Sequence, residues 1–303
     1  MPINITDAER QEEANRDLAA KLKLEKPFKP KVRKLINRMG NDLESNIIAT
    51  GAPQNLDRYK AQTEGLISEQ YENTKNVFSG RLIKQLEEEP EDSNIWKVLL
   101  AIGAVFRLGS KKDVLAKLRA DSVVRSNIFI DRSVTQDTSQ ILATSARNLQ
   151  AAADTARVKL ALELERQPTA IELAVAAKKQ FLQRDLGRAE TIAATTTQRA
   201  AEGIKNVDTT VYQDYRNSLT ALSLGLSEAK FEEFWITRGD SIVRLFHQQA
   251  DGQKKVGGVF IVGGESLRYP GDDSLGASLS NTINCRCSNV RSIDEEPNYN
   301  LEP

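Results

Sequence analysis

The chemistry-bearing residues of this chain are crowded into one stretch near its C-terminus. Between Trp235 and Cys287 lie the only histidine (His247), both cysteines (Cys285 and Cys287), one of the two tryptophans and about half of the 17 glycines. Glycines and turn residues at that density do not sustain long helices, so the stretch has to fold as short elements joined by tight turns. The residues before it have the opposite character. They are alanine-rich, and their apolar side chains recur at helical spacing. Aromatic residues are only 6% of the chain, so the core must come mainly from Leu, Ile, Val and Ala, which favours helix packing over a large β-sandwich. The expected fold class is mainly α: a helical N-terminal region, then a helix-rich domain with a small C-terminal α+β lobe.

Helix signals can be followed in order. Thr6-Asp-Ala-Glu9 is a capping box opening a helix to about Leu24, which Pro27 and Pro30 are expected to break. Leu35, Met39, Leu43 and Ile47 mark a second helix, ended by Gly51. Another runs from about Leu56 to Phe78 and onward toward Leu86. A short apolar helix covers Ile95 to Phe106, with Trp96 read as a core residue. Ser110 restarts a helix to about Ala120. Asp121 to Arg132 is open between strand, linker and short helix, and a soft boundary is placed there. Thr135 to Glu165 is the longest helical stretch. Thr169 and Glu172 cap a helix to about Leu182, a further one spans Gln183 to Ala201 with Gly203 as its stop, and another covers Val211 to Leu222. Helices joined by such short turns imply antiparallel packing. Three segments follow: a helical region over 1–130, a domain over 131–292 and a flexible tail over 293–303. Within the lobe, strands are expected at Phe231 to Thr237, Val259 to Val262 and Cys287 to Val290. A helix is expected at Ser241 to Ala250, and a long loop from Gly263 to Asn284.

Charge narrows the function classes. Lys plus Arg equals Asp plus Glu, at 42 each, so bulk charge attracts neither nucleic acid nor an acidic membrane surface. No apolar run approaches the ~20 residues needed to span a bilayer, and the N-terminus lacks the apolar core of a signal peptide. A cytosol-like compartment is expected. One local exception is the segment Lys21 to Lys34, where Lys21, Lys23, Lys26, Lys29, Lys31, Arg33 and Lys34 face a single acid, Glu25. It reads either as a contact for phosphate, packaged DNA or an acidic partner, or as a solvated helix end.

Two cysteines one residue apart would close a strained ring, so free thiols or metal ligands are expected rather than a disulfide. In an extended segment Cys285 and Cys287 share one face and Arg286 takes the other. His247 or Asp240 could meet the thiols, giving a four-ligand candidate for Zn²⁺: Asp240, His247, Cys285 and Cys287. The plainer reading makes the thiols small buried hydrophobes and His247 a hydrogen-bonded core residue. A catalytic Cys–His pair is the other sharp reading. Asp240 and Arg244 are placed for a contact across a helix start, and Arg244 shares a helical face with His247. Asp251-Gly252 reads as a turn with positive φ at the glycine. The Gly257-Gly258 and Gly263-Gly264 pairs read as turns around a short strand. They are not a phosphate loop, since no Gly-Lys-Ser/Thr follows.

Taken in order, Trp235, Asp240, Val243-Arg244, His247, Asp251-Gly252, Phe260, Pro270-Gly271-Asp272 and Asn284-Cys285-Arg286-Cys287 resemble the phage head morphogenesis domain. That is the family of the minor head protein F of phage Mu and its siphophage relatives. Arg188 to Thr195, followed by Arg199-Ala200, is similar to a family helix that usually reads Ile-Ala-Arg-Thr-Glu. Here its Arg and Glu stand as Ala194 and Thr196, which leans against an enzymatic role. The resemblance covers about residues 135 to 290. It implies a minor capsid component recruited through portal, scaffold or major capsid protein, located in the virion head and, during assembly, in the host cytoplasm. Some such proteins leave with the DNA. Competing readings are a toxin-like effector or enzyme acting through His247, Cys285 or Arg244, and a DNA-contacting packaging or ejection factor.

Overall fold

The computed structural model describes residues 6–105, 107–220 and 231–293. The protein is mainly α, with its strands confined to a small C-terminal lobe. Helices α1 (Asp7–Thr50), α2 (Lys60–Phe78), α3 (Arg81–Glu88), α4 (Asn94–Val105), α5 (Lys111–Leu164) and α6 (Ala170–Thr220) come first. Then follow β1 (Phe231–Ile236), α7 (Leu245–Gln249), β2 (Phe260–Val262), β3 (Glu265–Leu267), α8 (Leu279–Thr282) and β4 (Ser288–Ile293). The chain forms two compact units. One contains Met1–Lys21, Thr74–Ile130 and Gln198–Pro303; the other contains Leu22–Asn73 and Asp131–Thr197. The units interleave along the chain instead of following one another at residue 130, because α1, α2, α5 and α6 each supply residues to both.

Several expected breaks are absent. Pro27 and Pro30 lie inside α1. A proline in a helix interior costs about 3 kcal/mol. Here Phe28, Val32, Leu35, Ile36, Met39, Leu43 and Ile47 are all buried along the same helix, and each such side chain contributes about 1.5–3 kcal/mol, so packing outweighs the two lost amides. The stretch 121–132 is neither strand nor linker but the middle of α5. Leu118, Ser122, Ser126 and Ile130 are buried at four-residue intervals, while Val123, Val124 and Ile128 are exposed. The helical period of burial decides the conformation there, over the β-branched content. The expected separate helices between residues 169 and 201 and beyond Gly203 form one continuous α6.

Gly203 therefore does not stop a helix. A Cβ at this position would lie 2.0 Å from Phe129 Cζ, so the missing side chain lets α5 and α6 approach closely. Residues 122 and 129 of α5 meet 208 and 203 of α6, the descending pairing of antiparallel neighbours. In the other unit Asn148 bonds Asp185 at 2.8 Å. The turn there is fixed by the capping box of Thr169 and Glu172, as the one at Thr6 and Glu9 fixes the start of α1.

The break after α2 is at Gly80, whose φ is 75° and whose N–H donates to Asp208 at 2.9 Å. Trp96 on α4 is fully buried and donates its indole N–H to the Leu86 carbonyl at 2.8 Å. It sits in a core with Leu82, Leu99, Leu118, Tyr212 and Tyr215.

In the lobe, β1 and β4 pair antiparallel from Phe231↔Ile293 to Ile236↔Ser288. Hairpin β2–β3 turns through Gly263 and Gly264, with φ of 58° and 81°, the two positive values that a type I′ turn demands. Strand β3 and helix α8 fall where a continuous loop was expected. The helix expected over 241–250 shrinks to α7. Ile242, Leu245 and Phe246 are exposed, and His247 is the residue turned inward. Leu222 and the expected tail beyond Ile293 lie outside the described residues.

Candidate functional site: a buried histidine between two cysteines

The lobe has its own core: Trp235, Ala250, Phe260, Val262, Leu267, Cys285 and Cys287. Strand β1 delivers Trp235, whose ring meets His247 edge-on at 5.4 Å and Phe260 edge-on at 5.5 Å. The Asp251-Gly252 turn is stitched to the same strand. Gly252 N–H donates to the Trp235 carbonyl at 2.7 Å, and Thr237 N–H donates to Asp251 at 2.7 Å. Gly252 has the expected positive φ, 73°. Asn284 is also left-handed, with φ of 51°, a conformation that asparagine tolerates better than most residues. It turns the chain into Cys285 and Cys287, and both thiols are free and buried.

His247 Nδ1 lies 3.3 Å from Cys287 Sγ and 3.7 Å from Cys285 Sγ. The three ligand atoms are all within 4.8 Å of one another. On the far side of the ring, Nε2 is buried with no hydrogen-bond partner among the described residues. The two thiols are pushed in opposite directions. Burial drives the Cys285 thiol up, but hydrogen bonds from Cys287 and His247, with the imidazole charge, outweigh it and hold Cys285 well below the usual thiol range. Burial, then the neighbouring Cys285, drives Cys287 well above it.

Asp240 is not part of the cluster. It pairs with Arg286 at 3.1 Å and Arg238 at 3.2 Å, and accepts the Ile242 N–H at 3.1 Å. The expected Asp240–Arg244 contact is replaced too, because Arg244 donates to the Ile283 carbonyl. Arg286, between the two thiols in sequence, sends its guanidinium to Asp240. Beside the cluster is a pocket of about 200 Å³ lined by Val243, Arg244, His247, Asn284, Arg286 and Cys287. Cys285 is not one of its walls.

Comparison of the chain with protein-family models, with curated proteins and with solved structures finds no match.

Helix α6 holds the lobe from behind with residues that sequence periodicity did not single out. Gln198 donates to the Cys287 carbonyl at 2.7 Å and the Pro270 carbonyl at 3.4 Å. Arg199 reaches the Gly271 carbonyl at 3.4 Å and Asp273 at 2.8 Å. Asp272, fully buried, closes the Pro270-Gly271-Asp272 loop by accepting from Arg268 N–H at 2.9 Å and Ser274 N–H at 3.0 Å.

Lys21 is not a surface cation. It is buried against Glu202 at 2.5 Å and donates to the Cys287 carbonyl at 3.4 Å and Ser288 Oγ at 3.3 Å. Glu202 also accepts from Lys205 at 3.1 Å and from Asn289 N–H at 2.9 Å. Lys205 in turn meets Asp17 at 2.5 Å. Burial raises the cost of the Asp17 charge, yet Lys205 and Lys21 outweigh this and lower its pKa. The only signal of this network in the sequence is charged residues standing on helix faces that are otherwise apolar.

The rest of the basic segment is divided. In the other unit Lys29 and Arg33 pair with Glu190, and Lys31 pairs with Glu69. Lys23 and Lys34 are exposed. Of the segment's basic residues, only Lys21 is buried. Among the described residues, no helix is long and apolar enough to cross a membrane.

Proposed function

We propose that this chain is a minor capsid protein of a tailed bacteriophage, recruited to the head by portal, scaffold or major capsid protein during assembly. The observation that carries this reading is convergence. Trp235, His247, Phe260, Cys285 and Cys287, far apart in sequence, pack into one small core. Asp251-Gly252 and Pro270-Gly271-Asp272 are the turns that close it. These are the residues on which the resemblance to head morphogenesis domains rests, and here they serve to hold a shape. The same reading is supported by exposed apolar side chains on the α5–α6 hairpin, Val158, Leu162, Ile171 and Val175, which offer a surface to a protein partner.

Mass spectrometry of purified particles, calibrated against the major capsid protein, tests the proposal. The chain should be present at low copy, from a few to tens per particle. Its absence from intact particles, together with its accumulation free in the lysate, would overturn the reading. A measured catalytic activity in that free fraction would favour an effector instead.

A further inference from the structure

The separation of the imidazole nitrogen from each sulfur is that of a metal shell. Zinc takes thiolate sulfur at about 2.3 Å and imidazole nitrogen at about 2.0–2.1 Å, so tetrahedral angles place N and S about 3.6 Å apart. The observed separations, 3.3 and 3.7 Å, bracket that value. Two of the ligands are held independently: His247 by α7 and the edge-on Trp235 ring, and Cys287 through its carbonyl by Gln198 and Lys21. Asp240 is committed to Arg286 and Arg238, so it cannot be the fourth ligand without breaking two ion pairs. Of the three ligands, His247 and Cys287 also line the 200 Å³ pocket, together with Arg244, Arg286 and Asn284.

We propose that His247 Nδ1, Cys285 Sγ and Cys287 Sγ bind a zinc ion whose fourth coordination position opens on this pocket and takes water or a small anion. Three protein ligands with one open position is the arrangement that admits an exogenous ligand, whereas purely structural zinc sites are closed by four. The two arginines on the pocket wall supply positive potential for an anion at that position. Soft thiolate and imidazole donors select zinc, and oxygen-preferring cations are disfavoured. This site stands or falls independently of the capsid reading.

The test uses the full chain expressed with zinc and purified under reducing conditions. Elemental analysis should find stoichiometric zinc. Exchange for cobalt should produce thiolate-to-cobalt charge transfer in the near ultraviolet and the intense visible bands of a four-coordinate ion. Cys285→Ser and Cys287→Ser should lose the charge-transfer intensity. Arg286→Gln should keep the metal, which separates loss of ligand from loss of fold. Adding azide should shift the visible bands of the wild-type cobalt protein, with a weaker response in Arg286→Gln. Wild-type protein that holds no stoichiometric zinc and gives no cobalt–thiolate band would show that the three groups are only a hydrogen-bonded core. A cobalt protein whose bands ignore azide would mean that the fourth position is closed, and would overturn the open site.

Discussion

Replacing Gly203 with alanine should destabilise the protein even though alanine is the better helix former. In an ordinary exposed helix interior the change would gain about 1 kcal/mol. At this position the new Cβ would lie 2.0 Å from Phe129 Cζ and 2.7–2.8 Å from two other ring carbons, where carbon atoms sit comfortably at about 3.5–4.0 Å. The ring must therefore move by roughly 1.5 Å, away from its edge-on contact with Tyr269. Overpacking of this kind costs about 1–3 kcal/mol, and a displacement this large belongs at the upper end. Set against the helix gain, the net loss is about 2 kcal/mol, or a fall of about 4 °C in Tm for a chain of this size. Urea titration of the single and double variants measures it. In a Phe129→Ala background the clash is gone, so Gly203→Ala should now stabilise, reversing sign and giving a coupling of about 3 kcal/mol. If Gly203→Ala is as stable as the wild type, or if its effect is the same with and without Phe129, the close-approach argument is wrong.

Glu202→Gln should cost about 3–5 kcal/mol in urea titration, because it strands the buried Lys21 charge and leaves Lys205 with Asp17 alone; a loss below about 1 kcal/mol would mean that water reaches the network. Trp96→Phe keeps the ring but leaves the buried Leu86 carbonyl unpaired, at a cost of about 1–3 kcal/mol, read from the same titration. The hydrogen bonds from Arg166 and then Thr169 hold the Glu172 carboxyl down at about 2, below its ordinary 4.5. A depressed carboxylate contributes stability that is fully present above the unfolded value and fades as pH falls through the folded one. Amide-exchange protection at the start of α6 should therefore hold above about pH 4.5 and decline toward pH 2, and Glu172→Gln should remove that dependence.

Much of the fold is legible in the residues. The capping boxes at Thr6–Glu9 and Thr169–Glu172, the Gly-Gly turns, the burial of Trp96 and the shared face of Cys285 and Cys287 all follow from local chemistry that operates over a few residues. The failures share a cause as well. Pro27, Pro30 and Gly203 carry strong local signals to end a helix, and Val123, Val124 and Ile128 lean toward a strand. Each is overruled by side chains elsewhere that bury the opposite face of the same helix. Asp240 illustrates this at the site, because nothing nearby in sequence shows that Arg286, 46 positions away, would claim its carboxylate.

Sequence by itself determined that the chain is helical until its last quarter, where glycine-rich turns crowd one imidazole and two thiols into a small lobe. Tertiary structure alone decided that the thiols and the imidazole meet within coordinating distance, that Lys21 is a buried strut, and that Gly203 is a contact surface for Phe129. The physical reason is range. Backbone preferences and caps act across one turn of chain, while burial, ion pairing and close approach depend on partners that only folding brings together.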